Sequence, residues 1–368
     1  MSTPEIDISS VGMVTSLGAN AEQTAANVRA GITRYSEVPM AGLYENKFTV
    51  ALIQRDLLGG IPEEMQNRKF FTRREGLLLR IAGVALRDCL GGRKLESVPL
   101  FLALPEHETA KPLNPALFLD DLEKLNPGVF RRADSRADWK GRAGGLAALG
   151  EAVQAIADGR FPCVIAGGVD TFYDPYVLAK LDSYIYPQHR GEIPYHWVLR
   201  VKRDHPSQTD TFVPGEGAGL ILLMRKDVAV AQSKIPLATF SGTALGFEPG
   251  FMGSTEPYLG EGLAGVVQKL LTENPTTTPI REVYSTMNGE SYWAKEWGVA
   301  RIRNAAAFAE GERMNHPAEY FGDLGAASGP ILVGLAALGI SHNYRQSPAL
   351  VYASSDFGLR AAGIITAP

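Results

Sequence analysis

Cysteine is scarce in this chain. Cys89 and Cys163 are the only two among 368 residues, which excludes a disulfide-stapled scaffold and leaves two thiols expected to sit reduced in the core. A surplus of basic charge is also absent, because 36 Lys and Arg face 40 Asp and Glu for a formal charge of −4. Nothing in that balance attracts nucleic acid or an anionic membrane surface. No apolar run reaches the ~20 residues that span a bilayer; the longest is GPILVGLAALGI, and the opening MSTPEIDISS has neither a basic start nor an apolar signal segment. A cytoplasmic protein with no membrane partner is the expectation.

Histidine is sparse as well. His189, His196 and His205 lie within PQHRGEIPYHWVLRVKRDHP at spacings that suit neither a helix face nor a strand face, so they read as surface loop and no metal or cofactor is expected. The GEGAG run at Gly215–Gly219 lacks the Lys-Ser or Lys-Thr of a phosphate-binding loop and carries an acid at its centre, which favours a structural turn. Glu106, His107 and Glu108 follow an apolar strand candidate and read as solvated loop residues.

What is present is regular alternation. IDISSVGMV reads as a strand, NAEQTAANVRAG and REGLLLRIAGVALRDCL as helices, and SVPLFLALP as a strand again, the pattern of an α/β protein. With 45% hydrophobic and 21% charged residues, the composition supports a soluble multilayer core. In RADWKGRAGGLAALGEAVQAIADGRFPCVIAGGVD, Leu146, Leu149, Val153 and Ile156 fall at helical spacing and Gly159 sits where a left-handed cap is wanted. The apolar run that follows reads as a strand covered on both faces.

The chain also resembles itself. GLAALG occurs at Gly145–Gly150 and again at Gly334–Gly339, and each copy leads into a strand candidate with the same punctuation, PCVIAGGVD ending at Asp170 and PALVYASSD ending at Asp356. The copies lie about half the chain apart. Two similar halves are inferred, 1–233 and 234–368, joined near MRKDVAVAQSKIP.

Several motifs in order resemble the β-ketoacyl synthases of the thiolase superfamily. VGMVTSLGANAEQTAANVRAGIT is similar to that family's opening strand, turn and helix, and FVPGEGAGLILL to its Gly-rich crossing strand. STEPYLGEGLAGVV, FGDLGAASGPILVGLAAL and SSDFGLRAAGIIT resemble later segments. The resemblance implies a thiolase-like αβαβα five-layer fold built from two similar halves. It also implies a Cys nucleophile at the N-terminus of a buried helix, where the dipole favours a thiolate, and two His residues that stabilise the developing oxyanion.

The three chemical positions are changed. The nucleophile position falls at Arg142, the first His position at Asn288 in STMNGESYW with Glu290 two residues on, and the second at Asp323 in FGDLGAASG. Cys163 lies in an apolar strand with no basic neighbour and does not replace the nucleophile. The resemblance therefore implies a non-catalytic chain that pairs with itself or with a related synthase-like chain, or an adaptor for a protein partner. An enzyme using water with Asp323 or Glu290 as base, and a module binding an acyl group or an acyl carrier protein with Phe357 as a pocket wall, are the alternatives. Arg142 is expected to pair with Asp323, or else Glu290, with Asn288 bridging. The strand SVPLFLALP is expected to form the pairing edge of a dimer.

Overall fold

The computed structural model describes residues 4–39, 47–91, 98–106, 113–182, 184–186, 196–198, 200–202 and 210–368. Two runs of elements follow the same order. The first is β1 (Ile6–Val14), α1 (Arg73–Leu90), β2 (Leu100–Leu104), α2 (Pro115–Leu125), β3 (Arg136–Trp139), α3 (Gly141–Ala157), β4 (Cys163–Thr171) and β5 (Glu216–Arg225). The second is β6 (Ala238–Phe247), α4 (Glu261–Glu273), β7 (Ile280–Ser285), α5 (Ser291–Arg303), β8 (Phe308–Asn315), α6 (Ser328–Ser341), β9 (Ala349–Ser354) and β10 (Leu359–Thr366).

Each run builds five strands with one topology. In the first, β2 lies parallel to β3 and β4, while β5 runs antiparallel to both β4 and β1. In the second, β7 lies parallel to β8 and β9, and β10 runs antiparallel to β9 and β6. The two sets meet where Asp7 and Ile8 of β1 pair with Thr239 and Ala238 of β6, giving the order β8-β7-β9-β10-β6-β1-β5-β4-β2-β3. The repeated GLAALG hexamers occupy equivalent places, in α3 and α6, and their following strands are β4 and β9.

The apolar pattern dictates the layers. α6 is buried from Ser328 to Ile340 and α3 through most of its length, as helices enclosed between two sheets must be. Their side chains share one core with β1, β4 and β9. α1 and α2 cover the outer face of the first sheet, and α4 covers that of the second. Five layers result, in the expected αβαβα arrangement. α3 and α6 approach closely because Gly145 has no side chain: a Cβ there would stand 2.2 Å from Pro330 Cδ and 2.7 Å from the Ala326 carbonyl oxygen.

Three local expectations need correction. SVPLFLALP supplies β2, which lies inside the sheet with strands on both sides; the edge of the sheet in the first half is β3, the short polar stretch RADW just ahead of Arg142. GEGAG is no turn, because Glu216 opens the fully paired strand β5. Its carboxylate is buried and accepts from Ile53 N at 2.8 Å, Thr171 Oγ1 at 3.1 Å and Arg55 Nη2 at 3.1 Å. Glu106 is buried rather than solvated, accepting from Phe357 N at 3.2 Å. His107, Glu108, His189 and His205 lie outside the described residues, as does the side chain of His196.

Candidate functional site: a buried ion-pair network

The N-terminus of α3 is set by its neighbours. Gly141 enters the helix at φ +60°, a conformation that suits glycine, and a Cβ on it would meet Glu106 Oε2 at 2.5 Å. Ala143 N then donates to Ser355 Oγ at 3.0 Å, capping the helix from the end of β9. The other half repeats the device with an acid, since Ala326 N, ahead of α6, donates to Asp170 Oδ2 at 3.0 Å.

Arg142 is the second residue of α3 and is only 3% exposed. A cation at a helix N-terminus is disfavoured by about 0.3–1 kcal/mol, and an unpaired buried guanidinium by far more. Two carboxylates resolve this. Arg142 Nε and Nη2 each lie 2.6 Å from Asp323 Oδ2, and Nη1 donates to Asp356 Oδ1. The rings of Trp293, Phe212 and Phe172, with centroids 5.5–6.0 Å from its Cζ, surround the guanidinium.

Asp356 joins this pair to a second one. Arg200 Nη1 donates to Asp356 Oδ2 at 2.6 Å, while its Nε and Nη2 form a fork to Glu290 at 2.6 and 2.9 Å. Asn288 bridges the acids, its Nδ2 donating to Asp323 Oδ2 at 2.8 Å and to Glu290 Oε2 at 3.1 Å. Trp293 Nε1 adds a bond to Glu290 at 3.0 Å, and Gly325 N one to Asp323 at 2.9 Å. All five charged residues are buried.

Electrostatics follow from this enclosure. Burial alone would lower the Arg142 pKa, but Asp323 and Asp356 outweigh it and hold the guanidinium well above the ordinary arginine value. Burial would raise Asp356, yet Arg142 and Arg200 drive its carboxyl well below the usual range. Nearby Asp170 differs. Its pKa is pushed up to about 6 by burial, against the opposing effects of Arg74 and two backbone N–H groups.

Of the sequence-predicted residues, the structure brings Arg142, Asn288, Asp323 and Glu290 into one cluster, and the Arg142–Asp323 pair expected from sequence is present. Phe357 stands beside it, half-buried, in the loop after β9 and 6.1 Å from the Phe251 ring. Sequence reasoning missed Arg200 and Asp356. Asp356 had a signal, as the repeat partner of Asp170; Arg200 had none. Cys89 and Cys163 are both buried and form no disulfide, and burial pushes the Cys163 thiol up, so neither is an activated nucleophile. Among the described residues no cluster of His, Cys, Asp and Glu suits a metal ion, and no helix is long and apolar enough to cross a membrane.

Two copies of one βαβαβαββ unit, stacked in five layers around paired central helices, define a thiolase-like α/β protein. Comparison with known proteins narrows the class. The β-ketoacyl synthase N-terminal domain model matches residues 142–229. A putative β-ketoacyl synthase 1 of actinorhodin polyketide synthesis from Streptomyces coelicolor is 34% identical over 104 residues; the match covers 28% of this chain and only 21% of that relative. Among solved structures, the ishigamide ketosynthase/chain length factor superposes with a TM-score of 0.73 at 15% identity, covering 100% of both chains. A ketosynthase in complex with its type II polyketide acyl-carrier protein gives 0.75 at 14%, again over 100% of both. An oxazolomycin ketosynthase domain from Streptomyces albus gives 0.71 at 17%, covering 99% of this chain and 74% of the other. The chain thus shares the ketosynthase fold along its length and resembles the β-ketoacyl synthases in sequence over residues 142–229.

Proposed function

We propose that this chain is a non-catalytic ketosynthase-like subunit that acts through assembly. In this reading Arg142, Asn288 and Asp323 stand where ketosynthases carry their cysteine and two histidines, and the ion-pair network plugs the former reaction centre. The observation that carries it is Arg142 itself, a buried cation at the first turn of α3 tied to Asp323 and Asp356. A guanidinium held charged there cannot attack a thioester. Use of Asp323 or Glu290 as a general base is disfavoured, since both carboxylates are engaged by arginines and by Asn288.

A partner of the same fold is supported by the edge strand. β3 ends the sheet order, with no strand on its outer side among the described residues, and an open edge invites pairing. The similar structures include a ketosynthase/chain length factor and a ketosynthase with its acyl-carrier protein, which favours a synthase-like chain or a carrier protein as partner. The isolated protein is expected to form a two-fold dimer through β3, burying at least the ~1,600 Å² of a standard interface. Light scattering at micromolar concentration tests this. A stable monomer that also fails to pair with a synthase-like chain encoded beside it would refute the assembly role.

A further inference from the structure

A cleft of about 910 Å³ opens on the first half between the start of α1, the segment around Leu58 and residues 173–178. That volume is typical of small-molecule sites. Four arginines line it, Arg55, Arg73, Arg74 and Arg80, and Asp174 is the single acid on its walls among the described residues. Two of the four are already balanced, Arg55 by Glu216 and Arg74 by Asp170 at 3.2 Å. Asp174 uses its Oδ1 to accept from Tyr176 N and Val177 N at 2.9 and 3.2 Å.

Arg73 and Arg80 are left over. Neither has a carboxylate within ion-pair distance among the described residues. Arg80 Nε is enclosed without a hydrogen-bond partner, and its Nη2 donates only long bonds, to the Leu58 carbonyl at 3.3 Å and the Arg55 carbonyl at 3.5 Å. An enclosed, unmatched donor is costly unless something pairs with it. Burial and the like charge of Arg55 lower the Arg80 pKa, and the Glu216 carboxylate, already paired with Arg55, opposes them only in part. Leu77, Leu178 and the ring of Tyr173 supply apolar wall beside these cations.

We propose that this cleft binds a small amphiphilic anion, an oxyanion head of carboxylate or phosphate-monoester type on a short apolar body, with Arg73 and Arg80 holding the head. Guanidinium forks match both head groups bidentately. The concave shape favours a small ligand over the convex acidic face of a protein. This site is separate from the Arg142 network, and none of its readouts depends on acylation.

Calorimetric titration of the full chain with hexanoate, hexyl phosphate, hexanol and inorganic phosphate tests the proposal. At least one amphiphilic anion is expected to bind, and which one does so identifies the head group. Hexanol and inorganic phosphate should bind at least about tenfold more weakly, as should the preferred anion to Arg73→Gln and to Arg80→Gln. Arg73 has an exposed side chain without a partner among the described residues, so its variant stays folded even where Arg80→Gln does not, as circular dichroism will report. Three results would each overturn the proposal: no binding of either anion at millimolar concentration, equal binding by Arg73→Gln, or binding of poly-glutamate that hexyl phosphate does not displace.

Discussion

Arg142→Met is expected to destabilise the protein by roughly 3–5 kcal/mol at neutral pH, the cost of breaking a buried pair from one side. The described network holds two arginines, Arg142 and Arg200, and three acids, Asp323, Asp356 and Glu290. Removing Arg142 leaves three carboxylates facing one guanidinium. Removing an acid is milder, because each arginine keeps a carboxylate; Asp323→Asn should cost about 1–3 kcal/mol, the range of a charged hydrogen bond. Arg142→Met with Asp323→Leu should recover much of the loss, since it removes one charge of each sign.

The pH profile separates this account from simple loss of packing. In the wild type Asp356 is driven below its ordinary range by Arg142 and Arg200 after burial is offset. Its contribution is therefore fully present above the unfolded value of ~4 and is lost only as pH falls further. In Arg142→Met an excess carboxylate should have a raised folded pKa, so the variant should gain stability as pH falls from 7 towards 4. Denaturant unfolding at several pH values checks both slopes. A cost below ~1 kcal/mol with parallel profiles would mean that the network does not govern the site.

Gly145→Ala should cost a net ~2–3 kcal/mol, although alanine in a helix interior normally gains about 1 kcal/mol over glycine. Space decides the sign. The added Cβ would lie 2.2 Å from Pro330 Cδ, 2.5 Å from Pro330 Cγ and 2.7 Å from the Ala326 carbonyl oxygen, so α3 and α6 must move apart within the central layer. Gly265, exposed on α4 with open space for at least 4 Å around the place a Cβ would take, is the control. Gly265→Ala should be neutral or stabilising by thermal unfolding, and a similar loss at both positions would argue against close contact of the central helices.

These two sites also mark how far the sequence could be read. The duplicated hexamer and the matched strands after it exposed the two-fold plan, because small apolar residues between sheets leave a pattern that survives in one dimension. Arg142 facing Asp323 was legible for a related reason: a charge inside an apolar helix start demands a counter-ion, and the resemblance to ketosynthases supplied candidates. Arg200 was not legible, and the repeat marked Asp356 only as the counterpart of Asp170, not as a counter-ion of Arg142. Asp356 reads as the polar end of a strand, and Arg200 sits among other charges in VLRVKRD, where nothing distinguishes a buried arginine from a solvated one. Without them the sequence offered only Asp323 and Glu290 as counter-ions for Arg142, whereas the structure adds Asp356 and brings in Arg200. The edge strand was misplaced because RADW is too short and polar to announce itself beside SVPLFLALP, whose full burial marks an interior strand.

The most direct test of the central claim is intact mass after incubation of the full chain with acyl-carrier and acyl-coenzyme thioesters, read alongside a catalytically intact ketosynthase. The account predicts no adduct on this chain, because a paired arginine stands at the start of α3 and both thiols are buried, while the control is acylated. A stoichiometric acyl adduct mapped to any residue around Arg142 would contradict it and assign the site to group transfer.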